Sequence, residues 1–119
     1  MWPNAFQPIT SNTAVGQEYI APLVVAASTA TSAVSALPVN SSGDGSNCDI
    51  RIENQTNGWA MCNFGDGAQG AATLNNGLGV PPNTALVIRV APTTNSVAVI
   101  LFTGATAGPV RFARGSGID

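Results

Sequence analysis

An alternating pattern between Cys48 and Gly65 constrains the fold of this chain more than any other feature. Every second residue is apolar on both sides of the short polar segment Thr56 to Gly58, and these residues are Cys48, Ile50, Ile52, Ala60, Cys62 and Phe64. A period of two puts successive side chains on opposite faces of a β-strand. The stretch is therefore predicted to form two strands, each with one apolar face.

The segment between these strands predicts a β-hairpin. If Thr56-Asn57-Gly58 forms a three-residue loop with a left-handed Gly58, Ile52 faces Cys62 and one face of the hairpin is wholly apolar. A two-residue Asn57-Gly58 turn would mix apolar and polar residues on each face, so burial favours the longer loop. The second face of the hairpin then carries Arg51, Glu53, Trp59 and Met61. Since a strand facing only solvent rarely carries Trp and Met, this face is predicted to be covered by the N-terminal arm or by a neighbouring subunit.

Residues 1–12 are predicted to form an extended N-terminal arm. Pro3 and Pro8 interrupt any regular helix. The apolar anchors of the arm are Trp2, Phe6 and Ile9. Such an arm is expected to dock, either on its own domain or on a neighbour. The remaining residues, 13–119, are predicted to form one domain, because 119 residues suffice for a single core.

Further apolar runs predict five more strands. They lie near Gln17 to Ser28, Thr31 to Leu37, Ala85 to Ala91, Ser96 to Thr103 and Pro109 to Ala113. The run from Ser96 to Thr103 is apolar on both faces, which predicts a central strand. The segment Asp66 to Asn83, rich in Gly, Asn and Pro, is predicted to be a long loop that is functional or ordered by a partner.

About seven short strands separated by turns are typical of an all-β fold. The spacing predicts an antiparallel β-sandwich or a jelly-roll-like barrel. The apolar positions of the strands define the predicted core, which comprises Ile50, Ile52, Cys62, Phe64, Leu86, Ile88, Val99 and Leu101.

Charged residues are scarce. They make up 8% of the chain, Lys and His are absent, and the formal net charge is -2. Proteins that bind nucleic acid rely on Lys and Arg to neutralise phosphates, so direct nucleic-acid binding is not predicted. A surface with few charges avoids the desolvation penalty of burying ions, which favours a protein that lives in an assembly; an uncharged secreted β domain is the alternative.

Few residue types in this chain support catalysis or metal binding. Without His or Lys, only carboxylates could act as a general base, and no nucleophile–base pair is recognisable. Asp49, Glu53 and Asp66 could approach one another across the hairpin, although ordinary ion pairing also explains acidic residues there. Two cysteines without histidine cannot complete a four-ligand zinc site, and both are expected to be free and buried. No enzyme activity, cofactor or metal is predicted.

The sequence contains no apolar run of the roughly 20 residues that span a bilayer, so no membrane association is predicted. The N-terminus lacks the basic and apolar regions of a secretory signal. Synthesis in the cytoplasm is therefore expected.

Four short motifs follow one another in a distinctive order. They are Ile50-Arg51-Ile52-Glu53-Asn54, Asn63-Phe64-Gly65, Val80-Pro81-Pro82-Asn83-Thr84 and the ending Arg114-Gly115-Ser116-Gly117-Ile118. Each motif alone is generic β-structure sequence, and the specificity lies in their order and in the Gly-x-Gly ending. In this order, across residues 48–118, the chain resembles the small capsid decoration or cement proteins encoded beside the capsid genes of tailed bacteriophages.

The resemblance implies a β-sandwich or jelly-roll domain, made in the host bacterial cytoplasm, that binds the outer surface of the capsid and stabilises the shell. The implied partners are the major capsid protein and copies of the chain itself, as a dimer or trimer. The candidate interface residues are Trp2, Phe6, Ile9, Arg51, Trp59 and Met61. Two alternatives remain open: another virion component of the tail or head fibre, and a carbohydrate-binding module whose aromatic platform is Trp59 with Trp2 or Tyr19.

Overall fold

A computed structural model of the chain describes residues 6–8, 10–13, 16–19, 21–38 and 48–116. These residues form strands and connecting segments, and no helix able to cross a membrane is found among them. The strands are β1 (Gln7–Pro8), β2 (Thr10–Thr13), β3 (Gly16–Tyr19), β4 (Leu23–Ala27), β5 (Ser35–Ala36), β6 (Asp49–Asn54), β7 (Ala60–Gly65), β8 (Leu78–Val80), β9 (Thr84–Arg89), β10 (Ser96–Leu101) and β11 (Gly108–Ser116).

The strands form two main antiparallel sheets, and the predicted all-β sandwich is confirmed. The first sheet has the order β4-β11-β6-β9, and β1 continues beside β11 beyond the end of β4. The second sheet has the order β5-β10-β7-β8. Strands β2 and β3 pair separately with each other.

The strand order is that of a jelly roll. Strand β4 pairs with β11, β5 with β10, β6 with β9 and β7 with β8, so the chain from β4 to β7 runs antiparallel to the chain from β8 to β11. Rolling up this long double strand makes β6 a neighbour of β11 and β7 a neighbour of β10, which completes the two sheets. Of the two predicted architectures, the jelly roll with its eight sandwich strands is therefore the one found.

The predicted hairpin between β6 and β7 is wrong. Strand β6 lies in the first sheet and β7 in the second, so the connection between them is an arch that crosses from one sheet to the other. The positive-φ glycines of the described residues are Gly67, Gly77 and Gly104, and Gly58 is not among them. A hairpin and an arch bury the same alternate residues, and for that reason the alternation predicted the faces correctly but not the pairing.

The side chain of Asn54 holds this arch together. It is buried, and its amide nitrogen donates to the carbonyl oxygens of Gly58 at 2.9 Å, Val80 at 3.1 Å and Pro81 at 3.1 Å. Its amide oxygen accepts from the backbone nitrogen of Thr56 at 3.0 Å and from the Thr56 hydroxyl at 2.7 Å. These bonds satisfy backbone groups of the arch and of the segment after β8, which a two-strand ladder would otherwise satisfy.

Several other predicted boundaries differ from the structure. The strand predicted at Gln17 to Ser28 is divided into β3 and β4, with Pro22 between them. The segment Thr31 to Leu37 follows the edge of β10, since the Ser32 nitrogen donates to the Val99 carbonyl at 2.8 Å, but it is a regular strand only at β5. The predicted long loop contains β8, and β2 crosses the predicted boundary between arm and domain.

The predicted core lies between the two sheets. Of the predicted residues, those buried are Ile50, Ile52, Cys62, Val99 and Leu101, and those half-buried but packed against the core are Phe64, Leu86 and Ile88. Phe112 from β11 is also fully buried and packs edge-on against Phe64, with ring centroids 5.9 Å apart. The prediction that the strand after Ser96 is central is confirmed, because β10 lies between β5 and β7.

Candidate interaction surfaces

Large apolar side chains cover one end of the outer face of the second sheet. The ladder between β7 and β10 continues past both strands, since the Phe102 nitrogen donates to the Trp59 carbonyl at 3.0 Å. Ala60 and Leu101 are buried on the inner face, so the alternation directs Trp59 and Phe102 outward. The next outward pair is Met61 opposite Ile100. We call the four outward residues Trp59, Met61, Ile100 and Phe102 the aromatic face.

The aromatic face rests on a glycine in the neighbouring strand. Gly79 in β8 lies opposite Met61, and a Cβ atom at Gly79 would lie 3.4 Å from the Met61 sulfur and 3.6 Å from two ring carbons of Trp59. The indole and the thioether therefore lie over the backbone of β8, at distances where a Cβ atom would make ordinary van der Waals contact. Trp59 is still 47% exposed and Phe102 38% exposed. Both aromatic rings are available to a partner.

The other end of the same outer face is covered by the chain itself. The segment after β7, residues 66–77, bonds to the sheet through Asn63, whose amide donates to the Gly70 carbonyl at 2.9 Å. Ala98, which lies opposite Asn63 on the outer face, is fully buried, and Ala72 in the segment is nearly so. The predicted long loop thus packs on its own sheet, and it leaves the aromatic face open.

Charged side chains are concentrated on the first sheet. The four strands of the second sheet contain none, whereas β6, β9 and β11 contain six. Alternation directs five of them to the outer surface, which we call the charged face: Asp49, Arg51, Glu53, Arg89 and Arg111.

Arg51 was predicted to share one face with Trp59 and Met61, and this grouping is wrong. Arg51 lies on the charged face, whereas Trp59 and Met61 lie on the aromatic face of the opposite sheet. The error follows directly from the hairpin, because pairing β6 with β7 would have placed all three side chains on one side.

Ion pairs lie on the charged face. Arg51 Nε lies 3.3 Å from Glu53 Oε1 along the same strand. Arg89 Nε lies 3.0 Å from Asp49 Oδ1 across the β6–β9 ladder; the Asp49 side chain is 1% exposed and that of Arg89 is 69% exposed. The hydrogen bond to this carboxylate raises the pKa of Arg89.

The sixth charged residue, Arg114, closes one end of the sandwich. It is buried, and it donates from Nε to the Pro38 carbonyl at 2.7 Å and from Nη2 to the Thr94 carbonyl at 2.6 Å. Burial lowers the pKa of Arg114, because removal from water disfavours the charged form. The guanidinium and Asp66 both line a pocket of about 490 Å³.

The carboxylates suggested as a possible pair do not converge across a hairpin. Asp49 and Glu53 lie in the first sheet and form ion pairs there, while Asp66 follows β7 of the second sheet. Within the described residues, no group of three or more His, Cys, Asp or Glu is positioned to hold a metal ion.

Both cysteines are free and buried, as predicted. Burial raises the pKa of the Cys62 thiol from its ordinary value of 9.0 to about 12. Above pH 9.0 the unfolded chain loses this proton while the native chain keeps it, so the stabilisation is complete below that pH and is lost as the pH rises toward 12.

We therefore expect alkali to destabilise the native protein partly through Cys62. Relative to a Cys62→Ala variant, the native protein should lose about 1.4 kcal/mol of unfolding free energy between pH 8 and pH 10. Urea unfolding of both proteins at the two pH values measures this difference. An equal loss in the two proteins would contradict the assignment.

The remaining interface predictions fall on the arm. Trp2 and Ile9 lie outside the described residues, and Phe6 is half-buried. The sequence analysis did not identify Ile100 and Phe102 as surface residues. The sequence does indicate them, because the strand after Ser96 is apolar on both faces and only one of these faces can pack on the core between the sheets.

Comparisons with known proteins add no family to this description. No family model matches the sequence, and no curated protein or solved structure matches it significantly. The function is therefore argued from the two outer faces.

Proposed function

We propose that this chain is a structural virion protein that binds the outer surface of a tailed-phage capsid and stabilises the shell. The observation that carries the proposal is the unequal distribution of charge between the two sheets. The second sheet has no charged residue in its strands and presents the aromatic face, whereas six charged residues lie in strands of the first sheet. A sandwich with one uncharged face can cover a protein surface without removing water from ions.

The fold is compatible with this role. Jelly rolls are found in viral capsid proteins, in lectins and in cupins. Because one fold serves many functions, the fold alone does not select among them. The order of motifs across residues 48–118, which resembles capsid decoration proteins, favours the virion role among these three classes.

The proposed mechanism is mechanical rather than chemical. A protein that binds the closed shell more tightly than its opened or dissociated states stabilises the shell by mass action. The partners are the major capsid protein and neighbouring copies of the chain, and repetition over the shell adds avidity to a modest individual affinity. Trp59 and Phe102, at the exposed end of the aromatic face, are the anchors of this contact.

The proposal predicts that the purified chain binds heads that lack it. We expect it to cosediment with such heads to a saturating copy number that is a fixed fraction of the capsid subunits. Saturated heads should withstand a higher temperature before releasing DNA than bare heads do. Quantitative gel analysis of the pellet and a DNA-release assay measure the two effects.

Tails and head fibres purified from the same particles serve as the control. Binding to tails or fibres with no binding to heads would assign the chain to another part of the virion. Failure to bind any of these particles would overturn the virion role.

The exposed indole of Trp59 also favours a second candidate, a carbohydrate-binding module. Sugar rings stack their C–H faces on exposed aromatic rings, and the Trp59 ring rests on β8 with nearly half of its surface open. A glycan-binding screen with the native chain and with Trp59→Ala tests this role. Loss of a glycan signal with unchanged head occupancy would support the module, and absence of any glycan signal in the native chain would exclude it.

A further inference from the structure

Arg111 is the cation of the charged face that lacks a partner. It lies near the middle of β11, directly opposite Glu53 in β6 on one side and Val24 in β4 on the other. Its Nε atom is buried and has no hydrogen-bond partner, and Arg111 forms no ion pair with any described residue. A buried donor without an acceptor is unfavourable and is rare in native structures.

The nearest carboxylate is already occupied. Glu53 accepts from Arg51 Nε through one oxygen at 3.3 Å and from Gln55 Nε2 through the other at 3.4 Å. Both contacts run along β6 rather than across to β11. The centre of the charged face therefore holds two guanidinium groups and one carboxylate.

Asp66 is the complementary anion. It is exposed, it immediately follows β7 of the second sheet, and its carboxylate accepts a hydrogen bond from its own turn, from the Ala68 nitrogen at 3.0 Å. It forms no ion pair with any described residue. Asp49 pairs with Arg89 and Glu53 pairs with Arg51, so within residues 48–116 the unmatched anion and the unmatched surface cation are Asp66 and Arg111.

We infer that Arg111 of one copy of the chain binds Asp66 of the next copy. The guanidinium presents a fork of donors that matches a carboxylate, and the contact is made through the terminal Nη atoms, which are not buried, because the buried Nε atom is out of reach of a second molecule. Apolar residues flank both sides of the contact: Val24, which is 48% exposed, lies beside Arg111, and the exposed Pro92 lines the same pocket as Asp66. Burial of these flanks on docking strengthens the ion pair by excluding water.

The geometry makes this contact heterologous. The cation lies on the outer face of the first sheet and the anion at an end of the second sheet, so each copy uses two different surfaces. When this contact repeats from copy to copy, the copies form a closed ring if their successive rotations add up to a full turn, and an open chain if they do not. A polyanion such as nucleic acid fits the site less well, because Glu53 would repel the successive charges.

This contact deepens the proposed function, in which neighbouring copies of the chain are partners, and it is tested in solution without heads so that its failure is distinguishable from a failure to bind capsids. Sedimentation velocity of the native chain over a concentration series should show self-association that weakens with salt. We expect Arg111→Asp and Asp66→Arg each to lower the association constant at least about tenfold. An equimolar mixture of the two variants, and the double variant that exchanges the charges, should recover association.

Two controls complete the test. Ala85→Asp adds a negative charge to the same face without touching Arg111 and should leave association close to that of the native chain. Arg111→Gln, which keeps polarity but removes charge, should also weaken association if the ion pair is responsible. The inference is overturned if the native chain remains monomeric, if neither single variant weakens association, or if exchange of the charges fails to restore it.

Discussion

Asn54→Ala is expected to lower the free energy of unfolding by about 3 kcal/mol, an unusually large loss for a polar residue. The substitution removes the donor to three carbonyl oxygens, those of Gly58, Val80 and Pro81. It also removes the acceptor of the Thr56 nitrogen and hydroxyl. Because the site is buried, water does not replace these partners freely. Urea unfolding of the native protein and the variant, followed by circular dichroism, measures the loss.

Asn57→Ala is the matched control for this prediction. Asn57 lies in the same arch, and its amide bonds to the segment between β10 and β11, at the Thr106 hydroxyl (3.3 Å) and the Thr106 nitrogen (2.8 Å), but it is exposed. Water can replace these bonds, so we expect a loss of about 1 kcal/mol or less. Equal losses at the two positions would show that burial of Asn54 is not what makes it important.

The arch at Asn54 shows which part of the fold could not be predicted from the sequence, namely the pairing of β6 with its neighbours. The alternation of Ile50, Ile52 and Cys62 identifies their buried faces, because periodicity depends only on which side of a strand faces the core. It does not identify the neighbouring strand, because a hairpin and an arch leave the same alternate residues buried. In the arch that is found, the Asn54 side chain bonds to a carbonyl 27 residues away in the sequence. Contacts of that range are not encoded in local pattern.

Because local pattern does not identify neighbouring strands, the surface residues were recognised individually but grouped incorrectly. Trp59 and Met61 were identified as unusual surface residues by chemistry alone, and the structure places both on the exterior of the second sheet. Arg51 was grouped with them through the wrong pairing. Phe102 joins Trp59 only because β10 is the neighbour of β7, which follows from the jelly-roll order and not from either strand's own sequence.

The weakest predictions concerned segments of low hydrophobic contrast. From Thr31 to Leu37 the chain is rich in Ser, Thr and Ala, and it follows the edge of β10 with only two residues in regular pairing. Strand β8 is three residues long and contains Gly79, so propensity gives it no signal. Both segments take their conformation from a longer neighbour.

Trp59→Ser is expected to weaken binding to capsid heads by about thirtyfold, which corresponds to about 2 kcal/mol of binding free energy. The indole is the largest exposed side chain of the aromatic face, and docking would bury its open surface. Adding Phe102→Ser should abolish detectable binding, because Phe102 lies directly opposite Trp59 and covers the same area. Titration of heads with labelled protein, followed by sedimentation, measures the dissociation constants.

Val87→Ser, on the charged face, is the control that shows whether the loss of head binding is specific to the aromatic face. Val87 is a half-buried apolar residue whose outward side chain lies on β9 of the opposite sheet, away from Trp59. Since all these variants leave the core intact, we expect each to lose about 1 kcal/mol of folding stability or less. Head binding should then be preserved in Val87→Ser, weakened in Trp59→Ser and abolished in the double variant with Phe102→Ser. If instead Val87→Ser weakens binding as strongly as Trp59→Ser, the shell contacts the charged face, and the orientation proposed for the sandwich on the capsid is reversed.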